Sequence, residues 1–511
     1  MGRVAVALTV SLWVIPISIL VNRIVPDPYM DEIFHIPQAQ QYCRGNFWSW
    51  DPMITTPPGL YYISLGHIAC LFPGMYVARL VSSFAQLCSP ILLRSVNGVL
   101  AVACSIIVYE IIIHLRPNIG ERRASFQAVV LALYPLHWFF TFLYYTDVAS
   151  LTAVLSLYLA CLKKKYYLSA LLGAIAVIIR QTNIIWVLFV ACTGVMYITT
   201  AHRKESMKEV GVNVSRMKTA LSIFKNSVSV HPSLRKRKAK SAVDTSKHFE
   251  TSENGSSNVH SSDAGFLEEF QSLFSTSWHI KWKLLLLFCP FFLVLVAFIA
   301  FVRWNGSVVL GAKDAHAVSP HFAQIMYFSL VSALLSAPLH FSVRQRADLF
   351  RSLRKNRLVS LCQILAALIT GLLSVHFFSV AHPYLLADNR HYTFYLWRRV
   401  IKAHWLMKYL LVPVYVYSWF SIFSILGKGR QRIWVLAYFL ATAAVLVPAP
   451  LIEFRYYSLP FFFLMLHSHI SDGQSLLLGL AYMIINCFTM IMFLFRPFYW
   501  EHEPGIQRFI W

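Results

Sequence analysis

The sequence predicts an all-α protein that crosses a membrane many times. Of its residues 57% are apolar and only 13% charged, and the mean hydropathy is +0.57, a balance unsuited to a soluble globule. Apolar runs recur from end to end, each near the roughly 20 residues that cross ~30 Å of hydrocarbon. Between them lie short loops rich in Lys and Arg, the pattern left by cytoplasmic enrichment of positive charge.

Taken in order, the first run, Val4 to Val21, has no small-residue cleavage signature and precedes many others, so it reads as a retained anchor. Residues 22–90 form the first long connection. Spans follow near 91–115, 148–162 and 184–200. Arg116, Arg122 and Arg123 come after the first of these, Lys163, Lys164 and Lys165 after the second, and a hydrophilic block, 201–281, after the third. Two later basic clusters run from Arg344 to Arg357 and from Lys428 to Arg432. Placing all these clusters in the cytoplasm gives one consistent weave, with the N-terminus also cytoplasmic. The opposite face then receives 22–90, the turns at 144–147 and 180–183, and the loops 304–323, 381–404 and 451–458. The count comes to roughly 12 or 13 spans, in an N-terminal module 1–200 and a C-terminal module 282–511.

The block 201–281 is rich in Ser, Lys and Asn and has few large apolar residues in its middle, so it is expected to be mostly disordered. It carries thirteen of the Lys and Arg residues behind the net charge of +23, RKRK at 235–238 among them. Topology explains that charge without a nucleic-acid partner. Nine cysteines are scattered, mostly inside apolar runs, with no CxxC; they read as buried small hydrophobes, not as a disulfide framework or a zinc site. Sequons at Asn213 and Asn254 fall in the cytoplasmic block, and the one at Asn305 lies at a span end on the far side.

With 22 acids in 511 residues, the chain has few places to keep a general base. The best is Asp31-Glu32, within YMDEIFHIPQAQQYCRGNFWSWDPMITTPPGLYY at 29–62, where the first span opens into water. Ile33 to Tyr42, with His35 and Gln38, suits a short interfacial helix. Asp31 could cap its amides, but adjacent carboxylates point in different directions, so one can cap while the other accepts a proton. The prolines after Asp51 fix a rigid turn, and Trp50 fits either an interface belt or sugar stacking. Loop 381–404 adds His382, Asp388, Arg390 and His391, and arginine forks suit phosphate oxygens. Arg180, Gln181 and Asn183 end a span on the same side, where Glu453 and Arg455 also fall. Ionisable groups from distant loops thus gather on one face, as at a site assembled from span ends.

YMDEIFHIPQAQQYC, WDPMITTPPGLYY, RQTNIIW, LLADNRHYTFYLWRR and EFRYYSLP resemble the α-1,2-glucosyltransferase family that completes the N-glycan precursor in the endoplasmic reticulum. The likeness runs from the first span to about residue 460 and spares 201–281; one departure is GAKDAHAVSPHFAQ at 311–324. It implies a GT-C type helical bundle in the endoplasmic reticulum membrane with a lumenal site. The implied donor is dolichyl-phosphate-glucose, and the implied acceptor is the diglucosylated dolichyl-diphosphate oligosaccharide. A β-linked donor and an α-linked product mean inversion, which needs one base. Asp31 is the expected base, with Glu32 as the alternative. Arg390, His391 and Arg180 are expected at the donor phosphate. His35, Gln38, Trp50, Asp51, Gln181, Asn183, His382, Asp388 and Arg455 are expected around the substrates. No metal and no cofactor are called for. A mannosyl donor and a multi-pass transporter are the competing readings; charge gathered on one face, not crossing the midplane, disfavours the transporter.

Overall fold

The computed structural model describes residues 1–73, 87–227, 265–314, 317–501 and 505–511, and within these the side chains of 207–227 and 355 are left aside. Seven of the described helices are long and apolar enough to cross a membrane: Gly2–Ile24, Pro90–Leu115, Asn183–Ser206, Lys281–Asn305, Arg357–Phe377, Met407–Gly427 and Asp472–Phe495. Five more, Gly59–Leu71, Thr146–Leu162, Tyr166–Ile179, Ala323–Leu335 and Arg432–Leu446, are apolar but shorter. Together they come close to the number of apolar runs in the sequence. At 1.5 Å per residue, the 17 residues of Thr146–Leu162 and the 14 of Tyr166–Ile179 fall short of ~30 Å of hydrocarbon. Thr146 and Arg180, at their ends, line a cavity.

Residues Met1–Gly194 and Trp282–Trp511 form one compact unit, and Val195–Lys281 another. In the second, a helix runs on to Ser227, and Phe266–His279 is helical with Phe270, Phe274 and Trp278 stacked along one side. The expected disorder of 201–281 thus meets helix at both ends, while 228–264, with Asn254 and RKRK, lies outside the described residues.

The first unit is knit by buried aromatics: Trp186 stacks on Phe463 at 5.1 Å and Tyr134 on Phe461 at 4.5 Å. Its first connection, after helix α1 (Gly2–Ile24), carries helix α2 (Glu32–Cys43). Helix α3 (Gly59–Leu71) starts so close to the carbonyl of Ile178 that a Cβ on Gly59 would lie 2.6 Å from it. Near the end of the chain, Phe498–Tyr499 pairs with Ile506–Gln507, and the strand continues back onto loop 381–404. There Tyr392 N donates to Ile510 O, and Ile510 N to Arg390 O.

The cysteine reading needs correction. Cys43 and Cys88 form a disulfide, with Cα atoms 6.5 Å apart. Of the free cysteines Cys104 and Cys161 are buried, but Cys70, Cys192, Cys289, Cys362 and Cys487 are exposed on apolar surface. The bonded pair has no motif; it meets because α2 folds back across the start of helix Pro90–Leu115, where Gln40 Nε2 also donates to Cys88 O.

Candidate active site

The two adjacent acids part company at the start of α2. Met30, immediately before them, takes a left-handed φ of 56°, a conformation that costs an ordinary residue about 1–2 kcal/mol. Two bonds hold the strained corner: Tyr29 N donates to Glu32 Oε2, and Asp31 N donates to the Tyr145 hydroxyl. Glu32 turns inward and is fully buried. It takes Arg94 Nη2 at 2.6 Å and Nε at 2.8 Å and the amide of Tyr144 at 2.6 Å. Arg94 also donates to Asn22, to Val25 O and to Asp27 O. Glu32 therefore ties three stretches of chain together, with no face left for a substrate. Its charge is engaged inside the fold, away from the cavity that Asp31 faces.

Asp31 points the other way. It occupies the N-cap position of α2 but makes no capping bond, so the capping reading is corrected too. Its carboxylate opens on a cavity of about 660 Å³ and is 40% exposed. The Arg455 Nη1 donates to Asp31 Oδ2 at 2.8 Å. Burial pushes the Asp31 carboxyl up, but the charge and hydrogen bond of Arg455 hold it below its ordinary value. Asp31 is thus an ionised carboxylate at neutral pH, able to receive a proton.

Behind Asp31 stands a charged cluster. Arg455 grips Glu453 through Nε and through Nη2, the latter at 3.0 Å, and lies over the rings of Tyr145 and Phe140. Arg180 donates to Asp147 at 2.9 Å and to the Thr146 hydroxyl at 2.9 Å. His35 packs against Asp31 and shares a 2.7 Å hydrogen bond with the Tyr61 hydroxyl; burial, chiefly, lowers its pKa to about 4, so it is a neutral imidazole here.

Loop 381–404 builds another wall. Arg390 forks onto Asp388 at 2.8 and 2.9 Å, donates to Gln507 Oε1 at 2.9 Å and lies 4.6 Å from the Trp500 ring centroid. His391 Nδ1 is 2.9 Å from the Trp511 main-chain oxygen. That oxygen can only accept, so Nδ1 carries the proton, and Nε2 becomes a donor only in the imidazolium. The remaining rim comes from 53–56 and 307–312; the stretch 52–56 hydrogen-bonds to the second through Leu310 N to Thr55 O and Ala312 N to Pro52 O. A Cβ on Gly311 would sit 2.2 Å from the Pro52 carbonyl, so only glycine fits there. Within the departing loop 311–324, His316 lies outside the described residues.

Asp31, His35, Arg180, Gln181, Asp388, Arg390, His391 and Arg455 all line the cavity. Glu32, Gln38, Trp50, Asp51, Asn183 and His382 do not. Gln38 bridges Ser49 O and Asp51 N, and Asp51 closes its own turn by accepting from Met53 N. Trp50 packs on Tyr61. Asn183 bonds Ser150 and Ala176 O, and His382 Nδ1 accepts from Tyr384 N. These residues shape the walls instead of facing the space. Sequence reasoning passed over Asp147, which looks like an ordinary first-turn acid of an apolar helix, and gave Glu453 no role although it had placed it on the right face. Among the described residues no three His, Cys, Asp or Glu side chains are arranged to hold a metal ion.

Residues 25–466 match the DIE2/ALG10 family. Over its full length the chain is 59% identical to a protein of Arabidopsis thaliana named Dol-P-Glc:Glc(2)Man(9)GlcNAc(2)-PP-Dol alpha-1,2-glucosyltransferase, also covered in full. Proteins of that name from Mus musculus and Homo sapiens are 35% and 34% identical, over 96% of this chain and 94% of theirs. No solved structure matches.

Proposed function

We infer the function from one premise: this chain belongs to the DIE2/ALG10 family. It is a dolichyl-phosphate-glucose-dependent α-1,2-glucosyltransferase of a multi-pass membrane, acting on the diglucosylated, dolichyl-diphosphate-linked oligosaccharide. The reaction takes place on the lumenal side of the endoplasmic reticulum. Supporting that side, the Cys43–Cys88 disulfide sits in the loop that leads to the cavity, and such bonds persist in oxidising compartments; the basic loops assign the other ends of the spans to the cytoplasm.

The observation that carries the mechanism is the Asp31 carboxylate opening on the cavity while its neighbour Glu32 is sealed behind it. The acceptor hydroxyl attacks the anomeric carbon from the face opposite the phosphate. Its proton passes to Asp31, the bond from the anomeric carbon to the phosphate oxygen breaks, and dolichyl phosphate departs as an anion with no need of protonation. Cations fixed before reaction stabilise the charge that develops on the phosphate. Arg390 offers Nη1, whose partner Gln507 is neutral and exchangeable for a phosphate oxygen; His391 contributes through Nε2 when protonated. Arg180, also in the cavity lining, adds positive charge. The apolar side of the cavity, with Phe298, Ile184, Ile185, Ala444 and Val445, suits the first isoprene units of the carrier.

The test is reconstitution of the purified full chain with synthetic donor and diglucosylated acceptor. A triglucosylated product with a terminal α-1,2 bond is expected. Transfer from dolichyl-phosphate-mannose in a parallel reaction, or no transfer at all, would overturn the reading.

A further inference from the structure

An ion-paired carboxylate is a poor base, and Asp31 is ion-paired. Its partner Arg455 is anchored elsewhere: Nε and Nη2 stay on Glu453 while only Nη1 reaches Asp31. The same Nη1 stands 3.9 Å from Asp147 Oδ2. That oxygen is buried and has no hydrogen-bond partner, although Oδ1 of the same group is satisfied by Arg180. A buried carboxylate oxygen left idle is costly. A shift of about 1 Å, pivoting on Glu453, would bring Nη1 into hydrogen-bond range of it.

We propose that Asp147 is a positioning residue that takes the Arg455 guanidinium from Asp31 when acceptor occupies the cavity, freeing Asp31 to accept the hydroxyl proton. Arg455 thus holds Asp31 ionised and in place at rest, and Asp147 supplies the alternative counterion that makes its release cheap. The proposal rests on the reading of Asp31 as base. The groups that face Asp31 are Arg455, His35, His391 and the Tyr145 hydroxyl, with Asp147 and Arg180 behind them. Among them Arg455 is the cation with a further, unsatisfied carboxylate oxygen within 4 Å, Asp147 Oδ2.

The experiment compares pH profiles of kcat for the full-length enzyme and its variants in one reconstituted assay. Asp147→Asn keeps the shape and still accepts from Arg180, but it removes the charge that draws Arg455 away. It is expected to lower kcat at least about tenfold, leave both KM values within about twofold and move the acidic limb to lower pH, because Arg455 stays on Asp31. Arg455→Gln should move that limb to higher pH, since burial of Asp31 is then no longer opposed by the guanidinium. Combining the two should recover turnover relative to Asp147→Asn alone. A wild-type limb in Asp147→Asn, a loss carried wholly in KM, or a double variant no better than Asp147→Asn would each overturn the hand-over; if Asp147→Asn does not fold, the limb of Arg455→Gln decides. Asp31→Asn separates the levels. Should it retain turnover, the base assignment itself fails. Should it be inactive while the limb of Asp147→Asn stands still, only the hand-over fails.

Discussion

Replacing Glu32 by glutamine should unfold the protein more readily without removing its chemistry. The Glu32 carboxylate is 0% exposed, its partner Arg94 only 1%, and it receives Arg94 Nε, Arg94 Nη2 and the amides of Tyr29 and Tyr144. A glutamine has one carbonyl oxygen for these four donors and turns its own N–H groups toward the rest. Arg94 would then keep only neutral acceptors, Asn22 and the carbonyls of Val25 and Asp27, around a buried charge. Breaking a buried pair by removing one member costs about 3–5 kcal/mol. The assay is thermal unfolding of the purified protein in detergent, paired with turnover measured at a temperature where both proteins are folded. Glu32→Gln should show a clearly lowered midpoint, with turnover per folded molecule within about tenfold of wild type, short of the ~10²–10⁴ that loss of a general base brings. Removing both charges with Glu32→Leu and Arg94→Met should restore part of the stability. A variant as stable as wild type but without turnover would refute the structural assignment and return Glu32 to the chemistry.

The other expectations concern the cavity and its rim. Asp31→Asn should lose turnover by about 10²–10⁴-fold with an unfolding midpoint lowered less than in Glu32→Gln, because Asp31 caps no helix, is 40% exposed and leaves Arg455 still paired to Glu453; wild-type turnover would remove it as base. Arg390→Ala should reduce kcat/KM for the donor by roughly tenfold or more, from about 1.5–3 kcal/mol of charged hydrogen bonding, and should affect acceptor KM less; unchanged donor kinetics would end its phosphate role. Cys43→Ser should lose about 4 kcal/mol, the chain-entropy value for a 45-residue separation. Alkylation of the native protein followed by mass mapping should find Cys43 and Cys88 protected until reduction, and free labelling of both would contradict a lumenal disulfide.

How much of this was legible in the sequence depended on range. Apolar length marked the long spans, and the polar interruption at 29–62 marked the first loop, because both are local. The span read near 148–162 agrees with the short helix Thr146–Leu162; that of Tyr166–Ile179 was harder to bound, since an apolar run does not announce where its helix stops. Gln38 and Asp51 looked like groups for a sugar; both are committed to the backbone of the proline-rich turn, whose irregular amides and carbonyls need partners. Cys43 and Cys88 carried no spacing signal, because only the fold-back of α2 brings them together.

Charge pairing was the least visible feature and decides the most. In so apolar a chain an acid at span ends cannot stay buried and unpaired; Asp388 and Glu453 take an arginine two residues on, but the fold gives three others an arginine from afar: Glu32 to Arg94, Asp147 to Arg180, Asp31 to Arg455. The first two pairs lie 62 and 33 residues apart, the third 424. Sequence order could name the acids but not their partners, and the partners determine function. An acid whose arginine is held on one side only by neutral groups, as Arg94 is, becomes a fixed tie in the fold. An acid whose arginine is already anchored to a second carboxylate and lies near a third keeps a charge it can give up. Asp31 has that kind of partner and also faces the cavity, which is why one of two neighbouring carboxylates can do proton transfer while the other holds the loop in shape.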